Sequence, residues 1–114
     1  MNQQDLVWVR LPFTNMGGSK IRPAVVVSND RYNKIMHDAV VCAITSNIEE
    51  RPFSIIINSD NLSGGKLPIR SKIRADKILQ IDKSLIVESF ARLNDNMFDL
   101  LIKEIVKLVS RGKS

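Results

Sequence analysis

Short apolar runs alternate with polar connections along most of the chain, and this pattern predicts a series of β-strands. Pro12 ends the first run and Pro23 begins the second, while 14–20, 49–52 and 59–66 are predicted as loops or turns. The run 39–45 is almost entirely apolar, which favours a strand in the centre of the sheet. The predicted strands are 5–11, 24–28, 39–45, 53–57, 67–75 with an extended continuation over 77–81, and 86–93.

The spacing of apolar residues changes after Asn94 to steps of three and four, which predicts one α-helix. Asn94 is predicted to be its N-cap, and Asp95 favours the positive N-terminal end. Arg111 and Gly112 suit its C-terminal end, and Asn29 or Asp30 is expected to cap a separate short helical turn. The chain is predicted to be a single domain over 1–114, mainly β with a C-terminal helix. The residues of the apolar stripe are Met97, Leu100, Leu101, Ile105, Leu108 and Val109, with Phe98, Ile102 and Val106 widening it.

Composition and charge narrow the class of protein. With 114 residues, 44% of them hydrophobic, the chain can bury one core. Its formal net charge of +5 favours an anionic partner, of which nucleic acid is the commonest. No apolar run approaches the roughly 18 residues that a membrane span needs, and no signal peptide is recognised, so a cytoplasmic location without membrane contact is expected. The single cysteine, Cys42, lies in an apolar run and is predicted to be buried.

Several kinds of catalysis do not fit these residues. His37 and Cys42 are the only histidine and cysteine, too few for a zinc site of the usual ligand count. Glu49 and Glu50 are neighbours in sequence and are a poor pair for binding two metal ions. The segment Ser63-Gly64-Gly65-Lys66 lacks the first glycine and the spacing of a phosphate-binding loop. No metal and no cofactor is therefore predicted.

Charged residues recur at every second position towards the end of the predicted strand 67–75. Lys72, Arg74 and Asp76 share one face by strand alternation, together with Lys66 and Arg70. Such a row can be a solvated outer face or a surface that binds phosphates. A carboxylate repels phosphates, so Asp76 makes more sense as a proton acceptor than as a binding group. RNA offers a matching reaction without a metal, in which the ribose 2′-hydroxyl attacks the adjacent phosphorus.

The sequence resembles the MazF/PemK (Kid) family of toxins over nearly its whole length. The family's usual glycine before Asp5 is Gln4 here. The loop 15–21 differs from the corresponding loops of the family, and since such loops help to choose the RNA sequence, the sequence that would be cut stays open. The matching motifs are Asp5-Leu6-Val7-Trp8-Val9, Leu11-Pro12, Arg22-Pro23-Ala24-Val25-Val26-Val27-Ser28-Asn29, Ala43-Ile44-Thr45-Ser46, Arg74-Ala75-Asp76, Ile81-Asp82-Lys83-Ser84 and Arg92-Leu93.

The resemblance implies a small SH3-like β-barrel of the CcdB/PemK type with a C-terminal helix, acting as a homodimer. It implies the toxin of a type II toxin–antitoxin system: a sequence-specific, ribosome-independent and metal-independent endoribonuclease. The substrate would be single-stranded RNA, including mRNA, and the products would carry 2′,3′-cyclic phosphate and 5′-hydroxyl ends. It also implies a cognate antitoxin, with operator DNA bound only through the antitoxin complex.

The resemblance also assigns site residues. Asp76 matches the family's proposed base and Arg74 its proposed acid, while Arg22 and Thr45 match residues implicated in cleavage. Because an arginine keeps its proton at ordinary pH, we assign Arg74 to stabilising phosphoryl charge instead. The predicted substrate-binding residues are Lys20, Ser46, Arg70 and Lys72.

Two other interpretations remain open on sequence. One is a non-enzymatic toxin of the CcdB kind, which poisons DNA gyrase through the end of its helix. The C-terminal residues Arg111-Gly112-Lys113-Ser114 lack the tryptophan-containing ending of those proteins. The other is a nucleic-acid-binding barrel without catalysis.

Overall fold

A computed structural model describes residues 1–12 and 18–112, and within them the backbone forms a β-sheet and two α-helices. Single turns of 3₁₀ helix, Ser59–Asn61 and Lys83–Leu85, precede the fifth and seventh strands. The elements are β1 (Asp5–Pro12), β2 (Ser19–Val26), α1 (Asp30–Ile35), β3 (Asp38–Thr45), β4 (Ser54–Ile57), β5 (Leu62–Gly65), β6 (Ser71–Asp82), β7 (Ile86–Leu93) and α2 (Asp95–Val109).

The sheet has seven strands in the order β4-β6-β3-β2-β1-β7-β5, and all neighbouring pairs are antiparallel. β3 lies between β6 and β2, which is the interior position that its apolar run predicts. The predicted fold class, mainly β with a C-terminal helix and a barrel-like sheet, is confirmed.

Alternate residues of the central strands supply two separate apolar clusters, one on each face of the sheet. On β3, Cys42 and Ile44 enter the larger cluster and Val41 enters the smaller one. The larger cluster also receives Phe98 and Leu101 from α2, which packs on β6 and β4. The helix therefore covers one face of the sheet and leaves the other face available for a site.

The two helices begin as their sequences predict. The Asn94 side-chain oxygen accepts a hydrogen bond from the Met97 backbone N–H at 2.9 Å, which satisfies one of the free donors of the first turn of α2. Asn29 caps α1 in the same way through the Tyr32 N–H at 2.8 Å. No helix in the described part of the chain is long and apolar enough to cross a membrane.

Gln4, which replaces a glycine usual in the resembled family, adopts a left-handed backbone conformation with φ of 78°. A residue with a Cβ is disfavoured there by roughly 1–2 kcal/mol. The Gln4 side-chain amide donates to Leu93 O at 2.9 Å and to Asp95 Oδ1 at 3.0 Å. These bonds offset part of the strain and explain how glutamine is accommodated.

The largest differences from the sequence prediction concern three strands. β2 begins at Ser19 instead of residue 24, and β5 occupies part of the predicted loop 59–66. The strand predicted over 67–75 begins only at Ser71 but then continues without a break to Asp82. Lys66 and Arg70 therefore precede β6, so the predicted five-residue charged row does not lie on one strand. The remainder of the predicted loop 14–20, residues 14–17, lies outside the described residues.

Candidate active site

An irregularity in the pairing of β6 with β3 shapes the region around Arg74 and Asp76. Ile73 pairs with Ile44 and Ile78 pairs with Cys42, so residues 74–77 lie opposite Ala43 alone. A bulge of this size bends a strand and changes which residues face each side of the sheet. Ile73 and Ala75 enter the larger cluster, whereas Ile81 enters the smaller one on the opposite face.

Within this bulge the Asp76 carboxylate lies between two arginines. Arg74 donates from Nε to Asp76 Oδ1 and from Nη2 to Asp76 Oδ2, both at 3.0 Å. Arg51 donates from Nη2 to the same Oδ2 at 2.8 Å. The side chain of Asp76 is 19% exposed, so the carboxylate is largely enclosed by its partners.

These contacts set the protonation states of the site. The Arg74 hydrogen bonds, and after them the Arg51 hydrogen bond, hold the pKa of the Asp76 carboxyl well below its usual range. Asp76 in turn raises the pKa of Arg74. At neutral pH the site therefore holds an ionised carboxylate that is a weak base and a guanidinium that keeps its protons.

The loop joining β3 to β4, residues 46–53, carries Arg51 and is anchored at several points. The buried Lys72 ammonium donates to Glu49 O at 2.9 Å, and Ser54 Oγ donates to Arg51 O at 2.5 Å. Phe53 has a φ of 56°, and its carbonyl accepts from Ala75 N at 2.9 Å. The turn that delivers Arg51 to Asp76 is thus fixed to β6.

A groove of about 820 Å³ runs along the face of the sheet opposite α2. Continuing the β2–β3 register two residues beyond the Ala24–Ala43 pair places Arg22 level with Thr45, and Thr45 pairs with Lys72 on β6. Arg22, Thr45 and Lys72 therefore lie side by side across three strands. The groove is lined in part by Arg22, Thr45, Ser46, Glu49, Glu50, Arg51, Lys72, Arg74 and Lys77.

The structure brings some of the predicted site residues together and separates others. Asp76 does not line the groove itself but is joined to it by Arg74 and Arg51. Lys20, on β2, and Arg70, before β6, are exposed and lie outside the groove lining. The residues predicted for catalysis or binding that do line the groove are Arg22, Thr45, Ser46, Lys72 and Arg74.

Lys72 occupies a different environment from the one its position in a charged row suggests. The residue is only 4% exposed and its ammonium is directed to Glu49 O. In this structure Lys72 supports the loop 46–53, and its role in binding substrate stays a prediction.

Arg51 is the residue that sequence reasoning missed. It lies 25 positions before Asp76, in the segment 49–52 that the sequence predicts only as a turn. The Arg51-Pro52 pair by itself signals a chain reversal and no chemistry. Only the pairing of β4 with β6, which sets Ser54 against Arg74, brings the two residues together.

The buried thiol of Cys42 provides a test of how tightly the side chains pack beside the site. Burial, with a smaller contribution from the charge of Asp76, raises the pKa of Cys42 to about 12. At pH 8 a thiol with that pKa is ionised in only about one molecule in ten thousand. We expect a disulfide exchange reagent at pH 8 to modify Cys42 rapidly in denaturant and very slowly in the native protein. The reaction is monitored by absorbance. Complete modification of Cys42 in the native protein would contradict its burial.

In the described ranges, no three His, Cys, Asp or Glu side chains come together in a group that could hold a metal ion. His37 is exposed in the connection between α1 and β3.

Comparisons with known proteins add a family and a fold. A family model described as "PemK-like, MazF-like toxin of type II toxin-antitoxin system" matches residues 2–109. A solved MazE–MazF complex from Deinococcus radiodurans is 22% identical, with 98% of each chain covered and a TM-score of 0.80. An endoribonuclease in complex with its cognate antitoxin, from a mycobacterial species, is 12% identical, with 100% of this chain and 99% of that chain covered and a TM-score of 0.78. No curated protein sequence gives a significant match.

Proposed function

The chain belongs to the family of PemK-like, MazF-like toxins of type II toxin–antitoxin systems, and on this premise we propose that it is an endoribonuclease that cuts single-stranded RNA in the groove. The observation that carries the proposal is the Arg74–Asp76 pair, in which a carboxylate and a guanidinium are joined by two hydrogen bonds beside a groove lined by further cations. A carboxylate can accept a proton, and a guanidinium matches the geometry of a phosphate group.

In the proposed reaction Asp76 accepts the proton of the ribose 2′-hydroxyl as O2′ forms a bond to the adjacent phosphorus. The bond from phosphorus to O5′ breaks, and O5′ takes up a proton from water. Arg74, with a raised pKa, keeps its charge and stabilises the negative charge that develops on the phosphoryl oxygens. The products are a 2′,3′-cyclic phosphate and a 5′-hydroxyl, and Asp76 returns its proton to solvent.

Arg22 and Thr45 have supporting roles in this proposal. Their positions on adjacent strands of the groove suit contacts to the phosphate next to the scissile bond. Ser46 also lines the groove, where its hydroxyl is placed to contact RNA. Lys20 and Arg70, which lie outside the lining, would reach only nucleotides beyond the cut site.

We further propose that a cognate antitoxin binds this protein, that it acts as a homodimer in the cytoplasm, and that it contacts operator DNA only through the antitoxin complex. The antitoxin proposal is supported by the family membership and by the complexes of the mycobacterial and Deinococcus structures.

Incubation of the purified protein with a long single-stranded RNA in excess EDTA tests the proposed cleavage. We expect discrete fragments whose 5′ ends accept phosphate from a kinase without prior phosphatase treatment, because the products carry 5′-hydroxyls. The same RNA with methylated 2′-hydroxyls is the control and is expected to stay intact. Intact unmodified RNA would contradict the proposal; salt-sensitive binding would then point to a binding module, and trapped gyrase–DNA complexes to a gyrase poison.

A further inference from the structure

Arg51 faces two environments at once. Its side chain is 46% exposed and lines the groove, and its Nη2 atom also donates to Asp76 Oδ2 at 2.8 Å. Arg74 has the same double position on the other side of the carboxylate. Because Asp76 itself does not line the groove, the two guanidiniums lie where a phosphate would approach it.

In this arrangement one oxygen of the proposed base, Oδ2, is already occupied by both arginines. An ionised carboxylate has about four acceptor sites, and three N–H groups already bind the two oxygens of Asp76. A general base has to lie about 2.6–3.2 Å from the atom that carries the proton it removes. Oδ2, which accepts from both arginines, can accept the 2′-hydroxyl proton more readily once one of these donors has left.

Of the two donors, Arg51 is the one that can leave. Arg74 is bound to Asp76 through both Nε and Nη2 and belongs to the same strand, whereas Arg51 is bound through Nη2 alone. The main chain of the loop 46–53 is held by Lys72 and Ser54. The backbone can therefore stay in place while the long, exposed Arg51 side chain changes its partner.

We propose that Arg51 exchanges partners during the reaction: it binds the Asp76 carboxylate in the free protein and an RNA phosphate in the complex, and the exchange releases Asp76 to act as the base. Carboxylate and phosphate present similar pairs of oxygens to a guanidinium, so a phosphate in the groove competes directly for Arg51. This inference rests on the proposed endoribonuclease function, and it makes Arg51 both a phosphate-binding residue and a positioning residue for Asp76.

The titratable groups around Asp76 come from three elements. They are Arg74 on its own strand β6, Arg51 on the loop 46–53, and the buried thiol of Cys42 on β3. The thiol is uncharged at neutral pH, so the two arginines determine the charge state of the carboxyl. Removing Arg51 leaves one cation and raises the proton affinity of Asp76, which strengthens it as a base.

Steady-state cleavage by Arg51→Gln and Arg51→Lys proteins tests the exchange, with Arg31→Gln as the control. Arg31 is exposed on α1, and its substitution removes the same charge at a position outside the groove lining. For Arg51→Gln we expect KM to rise roughly tenfold, the size of a lost charged hydrogen bond, while kcat falls less than about twofold. Arg51→Lys should recover most of the KM, and Arg31→Gln should leave both constants unchanged. A large loss of kcat with an unchanged KM overturns the exchange.

The pH profile separates this role from a merely structural one. The acid limb of kcat/KM reports the carboxyl of the free enzyme, which has to be ionised to accept a proton. In the wild-type protein we expect this limb at low pH, because both arginines favour the ionised form. We expect Arg51→Gln to move the limb to higher pH, towards the ordinary aspartate value of about 3.9. A limb that stays where it is in the wild type contradicts a contact between Arg51 and Asp76 in solution.

Nitrogen NMR of the Arg51 guanidinium observes the exchange without cleavage, with a short single-stranded RNA bearing methylated 2′-hydroxyls as the probe. We expect the Arg51 signal to shift when this RNA binds, and to be shifted already in RNA-free Asp76→Asn protein. RNA that binds without moving the signal overturns the exchange, as does absence of binding. A signal that moves while unmodified RNA is never cut supports the exchange of partners and refutes the endoribonuclease function alone.

Discussion

Replacement of Asp76 by asparagine is expected to lower the rate of RNA cleavage by about 10²- to 10⁴-fold, the usual contribution of a general base. Asparagine has nearly the same shape and still offers one oxygen to Arg74 or Arg51, but its neutral amide does not accept the 2′-hydroxyl proton. RNA affinity should be retained or slightly increased, because the substitution removes the negative charge beside the groove and weakens the hold on the two guanidiniums. Cleavage is measured with single-turnover kinetics and binding with uncleavable 2′-methylated RNA.

The matched control is Asp99→Asn, which removes the same charge from an exposed position on α2, the helix on the opposite face of the sheet. It should cleave RNA at the wild-type rate. If Asp76→Asn retained full activity, Asp76 would have no part in proton transfer. If it lost RNA binding as well as cleavage, its role would be to organise Arg74 and Arg51 rather than to act as a base.

Truncation of Leu101 to alanine is expected to reduce the free energy of unfolding by about 2–5 kcal/mol. Leu101 is fully buried between α2 and the sheet, in the cluster that also contains Ile73 and Ala75 of β6. The substitution removes buried apolar contacts and leaves a cavity that the surrounding strands fill only in part. Equilibrium denaturation in urea measures the change.

Leu100 is the matched control, since it is the neighbouring residue on the same helix but is 46% exposed. Leu100→Ala makes the same chemical change with little cavity, and we expect it to cost well under half as much as Leu101→Ala. Equal losses of unfolding free energy from the two substitutions would mean that α2 does not pack on the sheet through the face that carries Leu101.

The C-terminal helix was the element that its sequence predicted best. Apolar residues at steps of three and four predict the helix, and Asn94 predicts its start, because helix periodicity and capping depend on residues within one or two turns. The predicted stripe is only partly buried, since Leu101 is enclosed whereas Leu100, Leu108 and Val109 are exposed. The interior position of β3 was predictable for a similar reason, since a strand covered on both faces needs apolar residues at successive positions.

The start of β6 was wrong in the sequence prediction because alternation alone does not show where pairing begins. Lys66 and Arg70 fit the same period as Lys72, but the pairing with β4 begins at Ser71. The environment of Lys72 was equally hidden, because its burial depends on the loop 46–53 folding over it. A lysine in an alternating charged pattern reads as solvated unless the element that covers it is known.

The sequence by itself determined the class of fold, and with the resemblance to a known family it predicts Arg74 and Asp76 as the central pair. Only the tertiary structure decided that residues 74–77 bulge from the sheet and that Arg51 completes the environment of Asp76. The physical reason is the separation along the chain of the residues that interact. Periodicity, capping and neighbouring charges are local, whereas strand register and the contact between a loop and a distant strand depend on how the whole sheet pairs.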